Sequence, residues 1–303
     1  MNKDNRKYVF VGNREYVLRE MISMGLNIVS VFVTANSFLE KRLVIDTFIN
    51  YTVVSKKKEL LESLANLDYD VLVSNGCKYI LPIGEMQKAL YLNVHPSYLP
   101  DLKGMDPING ACLFKRTTGA ACHVIDEGID TGKIIARVAI PFTEDLETAL
   151  LFQLSFKAEV MAFKDAFSND YQIMEEQPDD SNAIYYTIKP EELLVNFEKG
   201  SEYIINQSRS FGYLSKGLFF KCNSHVYKFF KASVIKNPFV LELAKEKADR
   251  EIILSFENSI VIKLQEGLLR FDQVDKKNGN IVEGDKLEVC TLSEMDNYNR
   301  LES

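Results

Sequence analysis

The sequence has no tryptophan, three histidines and five cysteines among 303 residues. The cysteines lie far apart, at 77, 112, 122, 222 and 290, and no two form a CxxC pair. That argues against a disulfide framework or a zinc ribbon and for a reducing compartment. No apolar run approaches the roughly 18 residues of a membrane span, so a membrane is not expected as a partner. Met1-Asn2-Lys3-Asp4-Asn5-Arg6-Lys7 is followed by no apolar h-region, which argues against a secretory signal and for a cytoplasmic location. Positive charge is in deficit as well: 36 Lys and Arg stand against 43 Asp and Glu, a net charge of −7. A generic nucleic-acid surface is therefore not expected, although a local basic patch is compatible with this balance. Hydrophobic residues at 46% and charged residues at 26% match a globular chain rather than a disordered one or a coiled coil. The length suits two domains or one large one.

What is present is an alternation of strands and helices. Tyr8–Val11 reads as a short strand, Arg14–Met24 as a helix stopped by Gly25, and Asn27–Val33 and Tyr51–Val54 as further strands. Lys57–Leu67 reads as a helix and Tyr69–Ser74 as a fourth strand. These strands are apolar along most of their length, as expected of strands covered on both faces. Strand, helix, strand at this spacing predicts a mostly parallel sheet with right-handed crossovers. Asp106–Phe114 reads as a helix with Asp106 as N-cap and Pro107 at the first helical position. Ala120–Ile125 and Ile134–Ile140 read as strands around a polar loop, Asp126–Gly132, and Asp145–Phe167 as a long amphipathic helix. Gln177–Ser181 resembles a linker. Beyond it, Gly217–Val234 predicts two strands around a turn at Asn223-Ser224, and Glu251–Leu254 and Ser259–Lys263 predict a hairpin turning at Glu257-Asn258.

The first strand-to-helix turn, Gly12-Asn13-Arg14-Glu15-Tyr16, lacks both G-x-G-x-x-G and G-x-x-x-x-G-K-S/T, so a phosphate cradle there is weakly supported. The groups suited to chemistry lie later. If the strand ending before Pro96 runs through Val94, Asn93 and His95 share one face, because side chains alternate. An amide and an imidazole would then stand at a strand's carboxyl end, where open α/β sheets border their ligand crevice. The competing reading is a capped strand end with a hydrogen-bonded histidine. Asp130, within Asp126-Glu127-Gly128-Ile129-Asp130-Thr131-Gly132, reads either as part of a solvated turn or as the carboxylate that orients His95. His123 lies mid-strand and reads as structural support; His225 reads as a surface residue. No base is evident beside Cys77 or Cys112, so both read as small hydrophobes rather than nucleophiles.

In combination these pieces become specific. Asn93-x-His95-Pro96-Ser97-x-Leu99-Pro100-x-x-x-Gly104-x-x-Pro107 is followed by Gly119-x-x-x-His123 and then by Asp126-x-Gly128-Ile129-Asp130-Thr131-Gly132-x-Ile134. This series resembles the N10-formyltetrahydrofolate-dependent formyltransferases, as does Ser74-Asn75-Gly76-Cys77-Lys78-Tyr79-Ile80-Leu81-Pro82 upstream. The resemblance spans residues 8 to 170. It implies an α/β, Rossmann-like catalytic domain with a mostly parallel sheet over residues 1–180, and a smaller, mostly β C-terminal domain over 190–303.

It further implies a catalytic triad of Asn93, His95 and Asp130, which moves a formyl group from N10-formyltetrahydrofolate to an amine. The Asn93 amide, with protonated His95, would face the developing oxyanion, and Asp130 would make His95 more basic. The folate donor would lie against Ile80, Leu81 and Pro82 and the loop containing Asp126 and Gly128. Tyr98, Lys103 and Gly104 would contact the acceptor. Lys103 stands where the family commonly has arginine, which keeps the charge and loses the bidentate geometry. No metal is implied, and no clustered ligand set is seen.

Among acceptors, the length argues against a glycinamide ribonucleotide enzyme, which resembles the first domain alone. A folate hydrolase would carry a regulatory domain that does not fit before Tyr8. Methionyl-tRNA is the rival to a nucleotide-linked amino sugar of bacterial surface glycans. Tyr186–Ser303 carries 17 Lys and Arg against 18 Asp and Glu, and the stretch Glu175-Glu176-Gln177-Pro178-Asp179-Asp180 is acidic where a tRNA binder needs cations. The amino sugar is therefore the favoured acceptor, with Tyr98, Tyr185 and Tyr186 as candidates for stacking on a base or sugar. An inactive folate- or nucleotide-binding module is a further alternative, against which the intact triad argues. The resemblance also allows a homodimer, with Phe219, Phe220, Phe229 and Phe230 serving either its interface or the core of the second domain.

Overall fold

The computed structural model describes residues 4–45, 49–178, 182–213, 216–275 and 279–302. The chain forms two compact units. The first comprises Met1–Pro107, Thr117–Pro141 and Phe152–Tyr186; the second comprises Ile108–Arg116, Phe142–Leu151 and Thr187–Ser303. Of the acidic stretch at 175–180, Asp179 and Asp180 lie outside the described residues.

Chain order in the first unit is β1 (Lys7–Gly12), α1 (Glu15–Ser23), β2 (Asn27–Thr34), α2 (Phe38–Leu43), β3 (Thr52–Val54), α3 (Lys57–Ala65), β4 (Val71–Asn75) and β5 (Leu90–His95). After α4 (Pro107–Phe114) come β6 (Thr118–Val124), β7 (Ile134–Ile140) and the 21-residue α5 (Thr148–Ser168). The seven strands make one sheet in the order β3-β2-β1-β4-β5-β6-β7. β1 to β5 are parallel, as expected; β6 runs antiparallel to β5 after the chain returns through α4, and β7 runs antiparallel to β6 because the chain folds straight back through the polar loop at 126–132. Alternation along the strands feeds two layers. Tyr8, Phe10, Val31, Val33, Val71 and Val73 pack with Val17, Leu18 and Met21 of α1 and with Phe163 of α5. Val9, Val11, Phe32 and Leu72 pack with Leu60 and Leu64 of α3. Strands apolar on both faces can be covered on both faces, which explains their unbroken hydrophobicity.

Gly25 follows α1 with φ +70°, the left-handed conformation that ends a helix without a Cβ penalty. The short α2 escapes the periodicity reading. Its signal is local: Ser37 accepts a hydrogen bond from the Glu40 amide at 3.1 Å, and Leu39 and Leu43 supply one buried i,i+4 pair.

The second unit gathers α4, the first turn of α5, and α6 (Gly200–Phe211), β8 (Leu218–Cys222), β9 (His225–Phe229), β10 (Lys231–Ile235), α7 (Pro238–Leu243), β11 (Ile252–Phe256), β12 (Ser259–Leu264), β13 (Gly267–Asp272), β14 (Leu287–Glu288) and α8 (Leu292–Glu302). Its strands pair antiparallel in two sheets, β10-β13-β12-β11 and β14-β8-β9. The turn between β8 and β9 places both Asn223 and Ser224 at positive φ, the twist a two-residue hairpin requires. Phe219, Phe220 and Phe229 are buried within this one chain, and Phe229 stacks on Phe271 with centroids 3.9 Å apart. Burial within one chain decides between the two readings of these phenylalanines: those three are core, not subunit interface. α4 belongs here through a reciprocal pair, Asn109 Nδ2 to the Ser210 carbonyl at 2.7 Å and Ser210 Oγ to the Asn109 carbonyl at 2.8 Å.

Candidate active site

Three parallel strands end side by side where the sheet order reverses around β1, the position at which open α/β sheets form a ligand crevice. β1 delivers Asn13 and Arg14, β4 delivers Asn75 and Gly76, and β5 delivers Asn93 and His95. A cavity of about 440 Å³ opens there. Ile80, Leu81, Asn93, His95, Gly104, Asp126, Gly128 and Asp130 of the sequence candidates line it; Pro82, Tyr98 and Lys103 are not among its lining residues.

The register of β5 on β6 sets Asn93 opposite His123 and His95 opposite Ala121. Asn93 and His95 therefore share a face, and His123 is the cross-strand neighbour of Asn93. Asp130 joins them from the loop after β6, with its backbone at φ +55°. That loop is built locally. The Asp126 carboxylate accepts from the Gly128 amide at 3.1 Å and from Thr131 Oγ1 at 2.6 Å. Gln177 clamps the loop's far side, donating to the carbonyls of Asp130 at 2.9 Å and Gly132 at 2.8 Å. Gly132 must be glycine, because a Cβ there would lie 1.8 Å from the Val124 carbonyl oxygen.

One carboxylate oxygen is the hub. Asp130 Oδ1 lies 3.1 Å from Asn93 Nδ2, 3.5 Å from His95 Nδ1 and 3.6 Å from His123 Nε2. Oδ2 accepts the Gly104 amide at 3.0 Å. The directions of these bonds follow from their partners. His123 Nδ1 faces its neighbour's carbonyl, that of Val124, at 2.9 Å and must carry the proton; its Nε2 then accepts from Asn93 Nδ2 at 3.2 Å. Asn93 thus donates one N–H to His123 and the other to Asp130, which turns its own carbonyl oxygen away from both. His95 Nε2 faces the Leu102 carbonyl at 3.1 Å and carries its proton there, which leaves Nδ1 as a bare acceptor towards Asp130.

Electrostatics sharpen the arrangement. Burial would push the Asp130 carboxyl up, but His95 and His123, when they take a proton, and the Gly104 amide outweigh it and hold the carboxyl well below the usual range. For His95 burial wins, lowering its basicity, with His123 and Arg14 acting the same way; Asp130 and the Leu102 carbonyl oppose it. The site therefore pairs an ionised carboxylate with an imidazole biased towards its neutral form.

Several contributors are not legible in the sequence: the Leu102 carbonyl, Gln177, the bond from Asn93 to His123, Arg14 on the cavity wall, and Asn75 and Glu159 beside Arg14. Each depends on register or on a contact between distant segments. The remaining candidates are placed as follows. Tyr98 is half-buried with the Arg137 guanidinium 4.4 Å over its ring; Tyr186 is buried; Tyr185 is 58% exposed. Lys103 is buried with its ammonium 5.3 Å from the Tyr185 ring centroid and no carboxylate partner among the described residues. Burial raises the thiol of Cys77 and pushes that of Cys112 up to about 11, which disfavours a thiolate at either, as the sequence reading expects. His225 is exposed. Among the described residues no group of His, Cys, Asp and Glu could hold a metal ion. No helix there is long and apolar enough to cross a membrane.

Comparison with known proteins decides the class. The formyl transferase family model matches residues 29–166, and the model of the formyl transferase C-terminal domain matches residues 187–287. A methionyl-tRNA formyltransferase of Thermotoga neapolitana is 30% identical over 228 residues, 68% of this chain and 72% of that one. The chain belongs to the formyltransferase family. A second methionyl-tRNA formyltransferase, from Campylobacter lari, is 23% identical over 92% of this formyltransferase and 94% of its own length. Among solved structures, WlaRD, a sugar 3N-formyltransferase crystallised with dTDP and 5-N-formyl-THF, superposes with a TM-score of 0.67. It is 21% identical and covers 91% of this chain and 100% of its own. An N-formyltransferase of Helicobacter canadensis, in complex with folinic acid and dTDP-3-aminofucose, gives 0.66 at 20% identity, covering 89% and 100%. At these identities the two structures speak for the fold.

Proposed function

We propose that this formyltransferase moves the formyl group of N10-formyltetrahydrofolate to the amine of a nucleotide-linked amino sugar, in the cytoplasm, for a bacterial surface glycan. Residues 1–180 are the catalytic domain in this reading, and 190–303 an accessory one. The donor suits the cavity. Ile80, Met105 and Ile129 expose apolar surface around it, suited to a flat heterocycle, with polar backbone at Gly128 and the Asn93–His95–Asp130 cluster beside them. The donor supplies an electrophilic formyl carbon; the rest falls to the protein.

His95, neutral in its buried setting, offers the unprotonated Nδ1 as base for the attacking nitrogen's proton. Protonation sets an N–H opposite Asp130 Oδ1, the oxygen Asn93 already holds. The new ion pair competes for that oxygen and frees one Asn93 N–H for the negative charge growing on the formyl oxygen. Asp130 thus couples proton removal to oxyanion stabilisation; as the tetrahedral intermediate collapses, the bond from the formyl carbon to N10 breaks and His95 gives its proton to N10, which releases tetrahydrofolate. Lys103, a cation without a carboxylate partner among the described residues, is suited to an acceptor phosphate, and the exposed ring of Tyr185 to a base or sugar face.

The observation that carries the choice of acceptor is charge: residues 186–303 hold 17 cationic against 18 acidic side chains, where a tRNA phosphate surface needs an excess of cations. Methionyl-tRNA is the second reading, favoured by the relatives from Thermotoga and Campylobacter. The test follows tetrahydrofolate release with a panel of nucleotide-linked amino sugars beside methionyl-tRNA. Turnover on one sugar supports the proposal; turnover on tRNA alone overturns it.

A further inference from the structure

Beside the cavity lies a second polar assembly that the formyl-transfer scheme does not use. Glu159 of α5 is fully buried. Arg14 Nε reaches both its carboxylate oxygens, at 2.9 and 3.0 Å. The same guanidinium donates to Ser155 Oγ at 2.9 Å and lies 4.5 Å from the Phe156 ring centroid. Asn75, with no exposed surface, donates to Glu159 Oε1 at 3.2 Å and to the Val94 carbonyl at 2.8 Å, one residue before His95. Its own Oδ1 is buried without a partner. Two glycines admit these groups: a Cβ on Gly12 would lie 2.0 Å from the Asn75 carbonyl oxygen, and one on Gly76 would lie 2.8 Å from Arg14 Cγ. A buried ion pair and an amide with an unsatisfied oxygen are costly compared with apolar packing. Here they converge on the strand end that carries His95.

We propose that Asn75, Arg14 and Glu159 are positioning residues for His95: Asn75 ties the end of β5 to a buried carboxylate, and Glu159 neutralises an arginine that would otherwise act on the imidazole as a bare cation. The inference rests on His95 being the working base. The groups beside His95 are Asp130 at 3.5 Å, the Leu102 carbonyl at 3.1 Å and the His123 ring at 6.5 Å between centroids, and Arg14 lines the same cavity. Asp130 and the carbonyl favour a proton on His95, whereas His123 and Arg14 oppose it. Burial raises the Glu159 carboxyl, and Arg14 and Asn75 oppose it by stabilising the charged form; removing that charge strengthens the repulsion from Arg14 and lowers the pH at which His95 takes a proton.

The experiment follows the imidazole resonances of the full chain by NMR as pH is varied. With three histidines in the sequence, single-histidine variants complete the assignment. In Glu159→Gln the His95 titration moves to lower pH by about half a unit or more. In Arg14→Met/Glu159→Gln it returns to the wild-type position or above. Asn75→Ala lowers kcat by about tenfold, the cost of a misplaced group, with the donor KM unchanged. A folded Glu159→Gln protein whose His95 titrates with the wild type overturns the electrostatic role; a folded Asn75→Ala protein with wild-type kcat overturns the positional one. If Glu159→Gln alone does not fold, the double variant decides, since a lowered titration there contradicts the proposal and a wild-type or higher one supports it. The titration is independent of the acceptor. Shifts as expected with no turnover on any amine would therefore sink the proposed function and leave the electrostatic role of Glu159 standing.

Discussion

The two units bury polar groups to different ends. In the first, Asn93, His95, His123 and Asp130 meet at one carboxylate oxygen, and Asn75 and Glu159 meet beside them. In the second, an open hollow of about 640 Å³ is lined by Glu257, Asn258, Ser259, Asp272, Gln273, Val274 and Asp275. There Asp272 is already taken by Ser259 Oγ and Arg270 Nε, both at 2.6 Å, and Asp275 accepts from Tyr298 at 3.0 Å. Among the described residues no imidazole lines that hollow, and the unit's interior is aromatic: Phe220 stacks on Tyr227 and Phe229 on Phe271, and Phe220 meets Phe229 and Phe271 at a tilt. A hollow by itself thus says little about chemistry. What distinguishes the first unit is that titratable groups with opposed preferences share one acceptor.

That contrast can be tested from either side. The largest effect is expected for His95→Ala, which should lower kcat/KM on the order of a thousandfold while the thermal midpoint and donor binding stay near wild type. Near-normal turnover would place the chemistry elsewhere. Next is Phe229 in the second unit. Phe229→Ala should cost about 3–5 kcal/mol of stability, read from denaturant midpoints, and Phe229→Glu should give no folded protein. A soluble, folded Phe229→Glu monomer would instead make that ring an interface residue.

A smaller effect concerns acid. His95 is less basic folded than unfolded, so below its unfolded value of about 6.5 the unfolded chain binds more protons, and stability drops as pH falls. Asp130, held below its ordinary carboxyl value, adds a second loss as pH falls below about 4. Denaturant midpoints at pH 7.5, 6 and 5 should therefore decline in the wild type, by at most about 1.4 kcal/mol per pH unit for His95, and decline less in His95→Gln. Identical slopes would mean that His95 titrates as it does in the unfolded chain. The smallest effect is for His225→Ala, whose exposed ring contacts the Asn223 carbonyl at 2.8 Å. It should change stability by less than about 0.5 kcal/mol and leave turnover untouched. A larger loss would give the hairpin tip a role the aromatic core does not suggest.

Much of this architecture is legible in the amino-acid sequence. The apolar runs announce a sheet covered on both faces, because a strand's burial is written into its own residues. Asn93 and His95 share a face because alternation in β5 is a local rule, and the hairpin tips at 223–224 and 257–258 follow from turn chemistry. The six residues of α2 carry too little periodicity to reveal a helix. α4 reads as part of the first domain, although it packs within the second unit through contacts distant in sequence.

The parallel core, the strand end that carries the imidazole and the residue order that marks the formyltransferases all depend on neighbours along the chain, and so the sequence specifies them directly. Folding in three dimensions settles what remains: Asp130 Oδ1 is shared by Asn93 and His95, His123 turns the Asn93 amide, and Arg14, Asn75 and Glu159 meet beside the cavity. Those contacts join segments up to 145 residues apart. Their energies depend on burial and on bond direction, which no stretch of chain specifies until the sheet has brought its ends together.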